Sequence, residues 1–220
     1  MSISSKAAST TSHLQGASGP YQSSQQIDQH FSPELLGKRV SGSTVIHPRI
    51  IRLPQNPALP LQYSIHTCPR SFRRTLQLIF PSLPTGPGAP DLHVLPTFQP
   101  TSCPILSWTP EAAAEKDHLL MTFTTWASRL VHFLHAQDHW ADFTDPASGL
   151  PVHTQQGPSF YPDVEGAERL LRYSIIDIGG CRLLEHPTWG SRVYPGTLFT
   201  TAPTSVILSC MDQLETECDA

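Results

Sequence analysis

The chain of 220 residues contains no uninterrupted apolar run near the roughly 20 residues that a helix needs to cross a bilayer, so no membrane partner is expected. Charge is sparse, at 15%, and its balance is acidic, with a net charge of -4. A nucleic-acid partner normally requires a basic face, so none is expected. Cysteines number only five (Cys68, Cys103, Cys181, Cys210 and Cys218), an odd count without a CxxC pair. The first residues also offer no apolar h-region, so a secreted disulfide framework is not expected. The thiols are read as reduced, in cytosol or mitochondrial matrix. No glycine-rich loop follows a strand and opens a helix, so Gly179-Gly180 is not a dinucleotide fingerprint.

What is abundant is proline, 22 of 220 residues, with 13 of them between Pro48 and Pro110. That density argues against a helical bundle and for short strands and turns in the first half, in one domain large enough for a hydrophobic core. Residues 1–45 are rich in Ser, Thr and Gln, too polar to offset the entropy of ordering. A disordered tail is one reading. A mitochondrial leader is the other, because no acid precedes Asp28, although Lys6 is the only base before Lys38. The folded domain is expected over residues 46–210, with 211–220 as an acidic, frayed tail.

Leu61-Gln-Tyr63-Ser-Ile65-His alternates apolar and polar residues, as a half-buried strand does. Thr67 is expected to cap a following helix with Pro69 in its first turn, and Phe72, Leu76, Ile79 and Phe80 form its apolar stripe. Arg70, Arg73 and Arg74 fall mostly outside that stripe. Pro84 to Pro90 is a surface loop. Strands are expected over residues 92–96 and 105–108, their prolines favouring sheet edges. Thr109-Pro110-Glu111 has the cap, first-turn proline and acid of a helix start. From there to about Gln137, Leu119, Leu120, Phe123, Trp126, Leu130, Phe133 and Leu134 share one core-facing arc. A short helix follows around residues 164–171. Strands flank the glycine pair at 173–176 and 182–184, another covers 193–200, and helical spacing resumes after Ser205. Short strands around one long amphipathic helix give an α+β sandwich.

Several clusters invite chemistry. His132, His135 and His139 project from one side of the long helix, but opposite its apolar stripe, and are read as solvated histidines rather than metal ligands. Asp142 and Asp145 stand three apart. In Asp145-Pro146-Ala147-Ser148-Gly149 the carboxylate suits turn N–H groups, so structural use is favoured over acid/base work. Trp140 and Phe143 are core anchors. Cys181 with His186 and Asp177 is the one nucleophile-like group. On a strand, however, positions 181 and 186 face opposite sides, which disfavours a Cys–His dyad.

Four segments carry a resemblance. They are Ile65-His66-Thr67-Cys68-Pro69, the run His139–Leu150 (HWADFTDPASGL), Asp177-Ile178-Gly179-Gly180-Cys181 continuing to His186-Pro187-Thr188-Trp189-Gly190, and Gly196-Thr-Leu-Phe199-Thr-Thr. Over roughly residues 61–203 the chain resembles the CblD family, the methylmalonic aciduria and homocystinuria type D proteins of cobalamin trafficking. The resemblance implies a nitroreductase-like scaffold and a non-catalytic adaptor without cofactor of its own. Such an adaptor docks on a CblC-type cobalamin-processing protein and directs cobalamin to cytosolic methionine synthase and mitochondrial methylmalonyl-CoA mutase, in mitochondrion and cytoplasm. A flavin- or thiol-dependent reductase is the alternative. In the family, the first of two adjacent cysteines supplies a thiolate to cobalt. That position here is Gly180, and Cys181 matches the second cysteine. Either Cys181 takes over through a one-residue change of register that the glycines ease, or the protein works without that bond; the first reading is favoured.

Overall fold

The computed structural model describes residues 43–53 and 56–216. Most of the expected tail, residues 1–42, lies outside the described residues. Eleven elements follow in order: β1 (Thr44–Leu53), β2 (Asn56–Thr67), α1 (Arg70–Leu76), β3 (His93–Pro100), α2 (Pro110–His135), β4 (Ala141–Thr144), α3 (Asp163–Leu171), β5 (Ser174–Ile178), β6 (Cys181–Glu185), β7 (Val193–Thr200) and α4 (Thr204–Thr216). Strands β1-β2-β3-β7-β4, in that order, pair antiparallel into one sheet, while β5 and β6 form a separate two-stranded sheet. The class is mixed helix and antiparallel sheet.

Alternation along the central strands explains the layering. In β3, Leu95 packs with Phe123, Trp126 and Leu130 of α2, whereas its neighbour Val94 packs with Phe72 and Leu76 of α1. In β7, Leu198 and Phe199 divide the same way. The sheet is therefore covered on both faces, by α2 and α4 on one and by α1 and α3 on the other, rather than forming a sandwich of short strands. Each large apolar side chain removed from water contributes roughly 1.5–3 kcal/mol. Where α2 meets the sheet, a Cβ on Gly196 of β7 would stand 2.9 Å from the Phe123 ring, so only glycine admits that ring against the strand.

Helix α2 starts as expected, with the Thr109 hydroxyl accepting from Ala112 N at 3.3 Å and proline in the first turn. Four expectations need correction. Thr67 does not cap α1: it is still in the sheet, paired with His93, and Pro69 occupies the cap position without a side-chain bond. Residues 105–108 form no strand, because Ser107 N turns back to Pro104 O at 2.8 Å and Trp108 is 91% exposed. Strand β3 is central rather than an edge. Pro96 fits there because the β2–β3 pairing skips Leu95 and Pro96, the position where its missing N–H would have been needed. Finally, α4 runs to Thr216 with Met211 and Leu214 buried in the core, so a boundary at residue 210 cuts through a packed helix. At the other end, Thr44 and Val45 belong to β1.

Candidate functional site

Strands β5 and β6 are joined by Gly179 (φ +55) and Gly180 (φ +88), a two-residue loop with both φ angles positive. This is the type I′ connection that matches strand twist and favours glycine. Cys181 opens β6 opposite Ile178, and its side chain is exposed. Cross-strand pairing of Ile178 with Cys181 and of Ile176 with Leu183 puts these four side chains on one face of the hairpin. Ile176 and Ile178 are 37% and 48% exposed, which makes that face an apolar, outward surface bearing the thiol.

The opposite face braces the hairpin. Leu184 is buried beside Phe98 and Val193. The Arg182 guanidinium donates to Glu165 at 2.7 Å and reaches Glu168 and Asp177 at 3.5 Å each. The residue next to the thiol therefore ties the tip to α3. Nothing in the sequence flagged this clamp, because Arg182 and its partners on α3 lie 14 or more positions apart.

His186 does not join Cys181. It is 2% exposed, its Nδ1 accepts from Thr188 N and Trp189 N, and its Nε2 therefore carries the proton donated to Gln62 Oε1 at 2.7 Å. Trp189 stacks on the ring at 4.5 Å. Burial pushes the imidazole down to about 4, so it is neutral and structural. His186-Pro187-Thr188-Trp189-Gly190 is thus a closed turn, sealed by the mutual backbone bonds of His186 and Gly190.

The carboxylates are structural too. Asp142 is fully buried, and its two oxygens accept from Phe143 N (2.7 Å), His153 N (3.0 Å), Thr154 N (2.9 Å) and the Thr154 hydroxyl (2.7 Å). Asp145 accepts from Ala147 N and the Ser148 hydroxyl, closing the turn its sequence suggested. Phe143 is buried against Phe123, and Trp140 packs edge-on to Phe80. His132 and His135 are exposed on α2, and His135 bonds Ala141 O at 2.8 Å. Among the described residues, no group of three or more His, Cys, Asp or Glu is placed to hold a metal.

Residues 11–213 match the family model of the methylmalonic aciduria and homocystinuria type D protein. The chain belongs to that family. Among curated relatives, the human protein named cobalamin trafficking protein CblD is 32% identical over 142 residues, covering 64% of this chain and 47% of the relative. The chicken protein of the same name is 29% identical over 149 residues, covering 67% and 49%. The chain spans about half the length of the curated relatives it matches. The hairpin, with Gly180 and Cys181 at its tip, lies within the matched residues of this family member.

Proposed function

We propose that the chain acts in cobalamin trafficking, as a non-catalytic adaptor that presents the Cys181 thiolate to cobalamin held by a CblC-type processing protein. The observation that carries this reading is the exposed thiol on an outward apolar face of a hairpin braced from behind by Arg182. A soft thiolate is a suitable and exchangeable ligand for a cobalt centre, which a handover requires. Ile176 and Ile178 supply apolar area beside the sulfur that docking would remove from water. Gly180 stands at the family's ligand position without a thiol, and its neighbour at the tip takes over the role. Delivery then runs towards methionine synthase in the cytoplasm and methylmalonyl-CoA mutase in the mitochondrion, on a scaffold of nitroreductase-like ancestry. The isolated chain holds neither flavin nor cobalamin tightly.

The test is a pull-down with the cognate CblC-type protein loaded with cobalamin, followed by absorbance. Mixing should give a thiolate-type spectral change that Cys181→Ser abolishes while the protein pair still forms. An unchanged spectrum and complex with Cys181→Ser would reduce the thiol to a surface side chain.

A further inference from the structure

The Ile65–Pro69 motif leads directly into a concave feature that the trafficking reading leaves unused. A cleft of about 510 Å³ opens between α1 and the loop of residues 85–89, with Cys68 and Leu92 also lining it. Three of its lining residues are Arg70, Arg73 and Arg74, against a single carboxylate, Asp91, in a chain whose net charge is -4. The three guanidinium groups differ in what they do. Arg73 spends its fork on the chain itself, donating to Pro90 O at 2.7 Å and Pro84 O at 2.6 Å, and so folds the proline- and glycine-rich loop back as the far wall. Arg70 and Arg74 are exposed, and no ion pair of theirs is found among the described residues. They stand at i and i+4, one turn apart on the same helix face, where like charges repel and lower helix stability slightly. Folding gains nothing from that arrangement, whereas an anion seated between them would reverse its sign.

The remaining surfaces suit such a guest. At Gly86 (φ +97) and Gly88 (φ +84) an added Cβ would meet nothing within 4 Å, so the loop turns without closing over the cleft. Burial raises the Cys68 thiol to about 12, which leaves it neutral rather than a competing anion.

We infer that this cleft binds the polyphosphate group of a small soluble molecule, of the kind carried by a nucleoside diphosphate, with Arg70 and Arg74 as its paired contacts. Guanidinium forks match phosphate oxygens in geometry, and two of them set on positions about 6 Å apart along a helix axis suit adjacent phosphoryl groups. The volume leaves room for more than the oxyanion alone. This site uses none of the hairpin residues, so it stands or falls separately from the cobalamin reading.

Titration calorimetry of the full chain with ADP and with inorganic pyrophosphate tests it. Both should bind with a dissociation constant below roughly 100 µM at low salt, weakening as sodium chloride is added. Arg70→Gln/Arg74→Gln should lower the affinity about tenfold or more, and circular dichroism should show the fold intact, since both side chains are exposed. Arg70→Lys/Arg74→Lys should retain part of the affinity. No binding of either probe, affinity equal to wild type in the Gln pair, or retention only on phosphatidylserine vesicles or an acidic peptide would each overturn the assignment.

Discussion

Gly180→Cys would build the adjacent cysteine pair that the resemblance implies, and the geometry of the hairpin says that it is not free. Gly180 holds φ +88, while an ideal Cβ placed on it meets nothing within 4 Å. The cost is therefore conformational rather than steric. A left-handed backbone costs an L-residue about 1–2 kcal/mol, partly offset by about 0.5 kcal/mol because the unfolded chain loses a glycine's freedom. A net loss of about 1 kcal/mol remains, which for a domain of this size lowers the thermal midpoint by about 2–4 °C. Gly180→Ala carries the same backbone penalty without a thiol, so calorimetric scans of the two variants should coincide. Cys181→Ser, in a strand position that is not left-handed, should stay within about 0.5 kcal/mol of wild type. A Gly180→Ala midpoint equal to wild type would refute the reasoning, since the tip would then tolerate any residue and the glycine there would have no backbone explanation. A Cys variant well below the Ala variant would refute it differently, by showing a side-chain clash that the open tip excludes.

Asp142→Asn should destabilise the domain by about 1–3 kcal/mol in urea unfolding, because the amide leaves Thr154 N without an acceptor. Arg182→Ala should change global stability by about 1 kcal/mol or less, the pair being partly solvated, yet speed amide hydrogen exchange across β5 and β6 as the tie to α3 is lost. Acidification should weaken the fold through two buried histidines, His66 and His186, both held down to about 4 by burial against 6.5 when unfolded. Their folded values are depressed, so the unfolded chain binds more protons between 6.5 and 4, and stability falls as pH drops through that window, by up to roughly 3 kcal/mol for each. Asp163, raised to about 7 by burial, acts in the opposite sense, since its folded form takes up a proton first, but one carboxyl against two imidazoles leaves the net slope unchanged in sign. His186→Gln should flatten the urea midpoint against pH, and an unaltered slope would show that the ring is not neutral in the fold.

Local signals were legible in the sequence wherever one element decides its own shape. Thr109, Pro110 and the apolar arc of α2 announce that helix because cap chemistry and periodicity are properties of a single segment. The glycine pair between two short apolar runs announces the β5–β6 hairpin for the same reason. The sheet order was not legible, because it depends on which strands meet at long range. Pro96 illustrates the gap: proline discourages a central strand on average, and only the break in β2–β3 pairing at that residue makes the position acceptable. Ile105 and Leu106 misled in the opposite way, apolar residues enclosed in the turn that Ser107 N closes on Pro104 O, just after a segment whose Ser102 N and Cys103 N donate to Glu115.

The candidate site shows the same division at higher stakes. Exposure of Cys181 followed from its place behind two glycines, and the separation of Cys181 from His186 followed from strand parity. Neither inference could reveal what makes the tip a braced hairpin rather than a loose loop. That depends on Arg182 meeting Glu165 and Glu168 across a connection of over ten residues, and on Leu184 finding Phe98 and Val193. The side chains that brace the hairpin and those that face solvent alternate along β6, so the thiol and its anchor are neighbours in sequence but lie on opposite faces. A substitution at residue 182 therefore acts on the thiol only by loosening the strand that holds it. One at residue 181 removes the sulfur and leaves the strand in place. If Cys181 ligates cobalt as proposed, measuring both with the cobalamin-loaded CblC-type protein separates presentation from ligation: Arg182→Ala should slow the spectral change while preserving its final form, and Cys181→Ser should abolish that form altogether.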